Sequence, residues 1–244
     1  TGAGGNIGVS AGPDGVLIID DQFAPLAEKI AASVADVADA EVKYIVNTHY
    51  HGDHTGGNAW FKQKHHATVF AHDNVRSRLA DDENHHHDAL PVVTYEEGVK
   101  FHFNGDTIRV MHLPAGHTDG DSVVWFEKAR VLHTGDLFFE GRFPYIDLGA
   151  GGTVAGYIAN VERLISMLED DMQIISGHGK LATKADYQKS LDMMKETAAF
   201  VLTQKRAGMS LEQLTEKGLD EKWKDWSWNF ITEEKWIATL YKGQ

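Results

Sequence analysis

The first fifty residues change their apolar period twice. The IGVS (7–10) and VLIID (16–20) runs flank a Gly, Pro and Asp turn, which predicts the two arms of a hairpin, the second of them a buried strand. Leu26, Ile30, Val34 and Val37 then recur at helical spacing, and VKYIVNT (42–48) returns to the strand pattern. Further short strands are predicted at ATVFA (67–71), at VKFHF and TIRVMHL (99–103 and 107–113) around an Asn104-Gly105 turn, at SVVWFE (122–127) and at RVLHT (130–134).

Helical periodicity dominates the remainder. Val154, Tyr157, Ile158, Val161, Leu164, Ile165 and Leu168 share one face of a predicted helix, and MQIIS (172–176) follows it as a strand. Thr183 with Asp186 has the form of a capping box for a long helix striped by Tyr187, Leu191, Met194, Val201 and Leu202, which Gly208 ends. Ser210 with Gln213 starts a short helix, and a last one from about Glu233 carries Trp236, Ile237, Leu240 and Tyr241. Strands alternating with helices, no internal repeat and no low-complexity linker predict one α/β domain over residues 1–244, with helices covering sheet faces and a helical C-terminal segment from about 183.

Composition narrows the partners. With 42% hydrophobic and 24% charged residues the chain has the makings of a folded, soluble protein. Lys+Arg 23 against Asp+Glu 36 gives a net charge of −13 with no basic run, so nucleic acid is a poor partner. No apolar stretch approaches the roughly 18 residues of a membrane span. Cysteine is absent, which removes disulfides and thiolate chemistry. That absence and the abrupt start favour a periplasmic or secreted protein over a cytoplasmic one.

The chemistry concentrates in NTHYHGDHTGGN (47–58), where His49, His51, Asp53 and His54 fall within six positions. Residues two apart on an extended segment point the same way, so His49 and His51 can face one ion. Asp53 and His54, after Gly52, can turn toward a second position. Three further candidates sit in glycine-flanked turns after strand-like runs: His117 in GHT, Asp136 in TGD and His178 in GHG. His65 and His66 read as exposed turn residues and His85, His86 and His87 as solvated, while His72, His112 and His133 near strand ends are candidates to orient a ligand.

The ordered set HxHxDH, GHT, TGD and GHG resembles the metallo-β-lactamase superfamily over almost the whole chain. The resemblance implies an αββα sandwich of two mixed β-sheets flanked by helices. It also implies a binuclear site in which His49, His51 and His117 hold one ion, Asp53, His54 and His178 the other, and Asp136 bridges them. Two zinc ions are expected, with iron or manganese as substitutes. Zinc lowers the pKa of bound water from about 15.7 toward 7, so metal-bound hydroxide would attack a carbonyl, with Asp53 aligning the nucleophile and relaying its proton.

Tyr50, inside the histidine loop, and Phe138, Phe139, Phe143 and Tyr145, after Asp136, are candidates to line a substrate pocket. Trp223, Trp226, Trp228 and Trp236 read as a packing or homo-oligomer surface. Within the family, flavodiiron proteins carry Glu where this chain has His51, and zinc β-lactamases place Cys or Ser near Asp136. A glyoxalase II-type enzyme holds glutathione on a basic helical region, which the mixed-charge, tryptophan-rich C-terminal segment does not match, so the expected reaction is hydrolysis of a small, fairly apolar ester, thioester, lactone or, less efficiently, β-lactam. A mononuclear iron persulfide dioxygenase and a non-catalytic metal-binding module are the rival readings.

Overall fold

The computed structural model describes residues 4–38, 40–82 and 87–243. They form an α/β fold with two β-sheets and flanking helices, divided into two compact units: residues 1–113 with 120–135, and residues 114–119 with 136–244. His85 and His86 lie outside the described residues, while His87 is exposed.

The first unit holds β1 (Gly8–Gly12), β2 (Gly15–Ile19), β3 (Val42–Val46), β4 (Thr68–His72) and β5 (Val93–Tyr95) side by side in sequence order. The β1–β2 pair is antiparallel and the others run parallel. A parallel link requires a crossover. These crossovers contain α1 (Ala27–Ala35), the single turn α2 (Gly52–Thr55), α3 (Asn58–His65) and α4 (Asp73–Asp81). The antiparallel strands β6 (Gly98–Phe103), β7 (Asp106–His112), β8 (Ser122–Phe126) and β9 (Val131–His133) make the other sheet layer of this unit. Asn104 and Gly105 both have positive φ, as the predicted tight hairpin turn requires.

Strand alternation divides β2 between two cores. Val16 and Ile18 pack with Val42, Ile45, Val34 and Phe61 on the helical side, while Leu17 and Ile19 meet Val46, Ile108, Val110, Val124 and Phe126 between the sheets. Both faces of β2 are therefore buried, which is why VLII reads as an unbroken apolar run. The first helix is shorter than its stripe suggested: it ends at Ala35, and Val37 is 69% exposed. His65 is not an exposed turn residue. It is the last residue of α3, lies against Trp60 and Phe61, and accepts the Val42 N–H at Nδ1. His66 is exposed, in the left-handed conformation.

The second unit comprises α5 (Val154–Met167), β10 (Gln173–Ile175), β11 (Leu181–Thr183), α6 (Lys184–Arg206), α7 (Leu211–Lys217) and α8 (Glu233–Lys242), with β10 and β11 antiparallel. Both predicted capping boxes are formed, Thr183 with Asp186 and Ser210 with Gln213. Helix α6 packs against α5 and α8. Trp236, fully buried, stacks on Phe143 and donates its indole N–H to Thr197 Oγ1 at 3.1 Å. Among the described residues, no helix is long and apolar enough to cross a membrane.

Candidate metal centre

In the first unit, β3 delivers the chain into the histidine loop. Asn47 N–H donates to Phe70 O at 2.9 Å, and Thr48 O accepts from Ser122 N–H at 2.8 Å, so the loop starts from a fixed direction. His51 keeps extended angles (φ −60°, ψ 143°) and caps α2. The ligand atoms of His49 and His51 accordingly lie within 4.8 Å of each other. Gly52 opens one helical turn, which lifts Asp53 and His54 off the extended path; His54 Nε2 is 3.7 Å from Asp53 Oδ2.

Asp20, the last residue of the VLIID run, is a buried carboxylate that organises this cluster. Asp20 Oδ1 accepts from the Thr48 N–H (2.8 Å), and Oδ2 accepts from Thr48 Oγ1 (2.8 Å) and His54 Nδ1 (2.7 Å). Since the one hydroxyl proton of Thr48 goes to Asp20, its oxygen is left to accept from His49 Nδ1, 3.0 Å away. Both imidazoles are thus protonated at Nδ1 and present the Nε2 lone pair, as metal ligands do. Next in sequence, Asp21 is also buried. Loss of solvation pushes its carboxyl well above the ordinary range, opposed by the Gly57 N–H that it accepts at 2.8 Å.

The N-terminal segment closes over this cluster. Gly5 donates its N–H to Asp53 O at 3.1 Å and passes so near His54 that a Cβ there would lie 2.2 Å from the imidazole Cε1. Only glycine fits this crossing.

The second unit carries His117, Asp136 and His178. Asp136 presents its two oxygens to different histidines: Oδ2 is 3.5 Å from His117 Nε2 and Oδ1 is 3.4 Å from His178 Nε2. His117 Nδ1 donates to Tyr145 O at 2.8 Å, which again directs Nε2 outward. A bridge pairing between Phe139 and His178 sets the latter beside the Asp136 segment, and their rings stack at 5.0 Å.

Two helices hold the Asp136 turn by its backbone. Tyr157 of α5 donates to Asp136 O at 2.8 Å and Tyr187 of α6 to Leu137 O at 3.0 Å. Burial pushes the Tyr187 phenol well above its ordinary pKa, so it stays a donor. Sequence periodicity had marked both tyrosines only as members of helical stripes.

The remaining candidates separate. Phe138 stacks on Tyr187 and Phe143 on Trp236; both are buried, as is Phe139, which stacks on His178. Tyr50 and Tyr145 are half-buried. The Tyr145 hydroxyl is pushed up, first by burial and then by the Asp147 carboxylate. Trp223, Trp226 and Trp236 are buried, whereas Trp228 reaches to 6.2 Å from the His178 ring. His72 and His112 stack on each other at 3.7 Å. His133 Nδ1 accepts the Gly135 N–H, immediately before Asp136.

Imidazole nitrogens held in the metal-binding tautomer, together with carboxylates of mixed exposure, suit zinc and its neighbours, so the donor set fits the expected group. The comparisons agree. The family model described as the metallo-beta-lactamase superfamily matches residues 1–178, and the chain belongs to that superfamily. A hydroxyacylglutathione hydrolase of Methylococcus capsulatus is 31% identical over 142 residues, covering 57% of this chain and 49% of that protein. An uncharacterised protein of Aquifex aeolicus is 33% identical over 160 residues, 62% of this chain and 74% of that one. The chain spans about half the length of the first hydroxyacylglutathione hydrolases it matches. In fold it is similar to a metallo-beta-lactamase from Pontibacter korlensis, with a TM-score of 0.66 at 19% identity, covering 77% of this chain and 85% of that one.

Proposed function

We propose that the chain is a two-zinc hydrolase of a small acyl substrate, with thioesters first and esters, lactones and β-lactams after them. His49, His51, His117 and Asp136 would hold one ion and Asp53, His54 and His178 the other, with Asp136 shared. The observation that carries this reading is the two-sided carboxylate of Asp136, one oxygen toward each of two histidines at 3.4–3.5 Å. Each oxygen is placed to serve a different ion, which favours the two-ion reading over the one-ion iron dioxygenase. The preference for thioesters comes from the hydroxyacylglutathione hydrolase relatives.

When bound, the ions supply a Lewis acid for the carbonyl and bring the pKa of a water ligand near neutrality. The chain's own groups do the rest. Asp53, whose side chain is 22% exposed, is the site carboxylate open to solvent; it accepts a hydrogen bond from the attacking water and takes up its proton. The C–O bond forms, the C–S bond breaks, and the proton leaves with the thiol. Asp20 keeps His54 aimed directly and His49 through Thr48. Tyr50 and Tyr145 are the candidate side chains for substrate contact.

Metal analysis of protein purified without added metal, with a screen of thioesters, esters, lactones and β-lactams with and without chelator, tests the proposal. About two zinc per chain and chelator-sensitive thioester cleavage are expected. Asp136→Ala loses activity and metal together; a single iron per chain, or full activity in that variant, refutes the assignment.

A further inference from the structure

Trp228, one of the tryptophans expected to form a packing or contact surface, stands beside the proposed ligand His178, and Phe230 stands beside Trp228. This segment is tied down: Phe143 N–H donates to Trp226 O at 2.8 Å, Trp228 Nε1 donates to Phe143 O at 2.9 Å, and Trp228 N–H donates to Ile231 O at 3.0 Å. The tie holds the Trp228 ring 6.2 Å from His178 and 5.6 Å from Phe230. Phe230 meets Tyr145 at 5.3 Å, and Tyr145 stands edge-on to His117 at 5.7 Å. The rings form an arc that begins and ends on a ligand histidine.

Unlike Phe138, Phe143 and Trp236, these rings are not used up in packing. Tyr145 and Trp228 are half-buried and Phe230 is 49% exposed. An exposed phenylalanine on a segment held by backbone and indole hydrogen bonds gains little for the fold. Two cations steady the arc, Arg142 5.0 Å from the Trp228 ring centre and Lys235 5.4 Å from that of Phe230.

Resting on the hydrolase reading, we propose that Tyr145, Phe230 and Trp228 form the acyl-group subsite and select substrates whose acyl part carries an aromatic ring. An acyl group held between His117 and His178 would have Tyr145 beside one histidine and Trp228 beside the other, with Phe230 joining the two rings. Ring pairs gain from offset or edge-on contact at centroid separations of about 4.5–7 Å, which an alkyl chain does not reproduce.

The test compares kcat/KM for phenylacetyl and acetyl thioesters of one thiol on the metal-loaded full chain. The unmodified protein should prefer the phenylacetyl compound about tenfold or more. The ratio should collapse toward one in Phe230→Ala and Trp228→Ala and be largely kept in Trp228→Phe. Because Phe230 is half exposed, its truncation spares the fold. Calorimetric titration with the non-hydrolysable phenethyl thioether of the same thiol supplies a readout without turnover, and Phe230→Ala should weaken it by a similar factor. A wild-type ratio near one, an unchanged ratio in both alanine variants, or an equal fall for both substrates overturns the subsite. Failure of the unmodified protein to cleave either thioester overturns the hydrolase reading instead, and the titration then decides the ring-binding subsite by itself.

Discussion

Asp20 shows how much of a proposed metal site can depend on a residue outside the proposed ligand set. Its carboxylate accepts from Thr48 twice and from His54 once. Asp20→Asn keeps the shape but replaces one acceptor oxygen by a donor, so one of these donors loses its partner in the interior. Partners of ligand histidines typically contribute 10–100-fold to metal affinity. Zinc titration against a competing chelator should show a loss of that order, with the far-ultraviolet circular dichroism retained; unchanged affinity would mean that His54 is held by other contacts. The proposed ligands were legible in the sequence, because HxHxDH, GHT, TGD and GHG carry in order the side chains that the structure clusters. Asp20, Thr48, Tyr157, Tyr187 and Trp228 were not, because each acts through a contact with a segment distant in sequence, and neither periodicity nor spacing records such contacts.

At the scale of elements, caps and turns are the local signals that the chain obeys most closely. In α6, Thr183 Oγ1 and N–H both donate to Asp186 Oδ2, at 2.6 and 2.9 Å, and these bonds hold the Asp186 carboxyl below its ordinary pKa. A lowered folded-state value stabilises the protein above the unfolded pKa of about 3.9 and loses that contribution as pH falls through the folded value. Thr183→Ala should therefore cost about 0.5–2 kcal/mol at pH 7 in denaturant unfolding, and less in the acid range. A difference that stays constant down to pH 2 would contradict the assignment. Elements without strong local signals escaped prediction. Helix α4 buries only Val75 and Leu79, and α3 only Asn58 and Phe61, too few for a 3.6-residue period. Strands β5 and β11 have three residues each and derive their conformation from their neighbours.

For the whole molecule, a metal ion held by the folded chain would tie the stability of the fold to the ion. Anything that binds only the folded chain stabilises it, by about 2.7 kcal/mol at a hundred times the dissociation constant. In a chain of this length that corresponds to roughly 5–10 °C in Tm. Scanning calorimetry with zinc and with chelator should show this gap at pH 7.5. The gap should narrow below about pH 6.5, where protons compete for the imidazoles. Equal melting temperatures with and without zinc would argue against a site built by folding.

The two phenols that grip the Asp136 turn by its carbonyls connect the helices to the proposed metal centre through main chain alone. Anyone reshaping α5 or α6, for solubility or for a new substrate, would also be adjusting the seat of that aspartate. Zinc stoichiometry would then belong among the first quality checks on such variants, ahead of any assay of turnover.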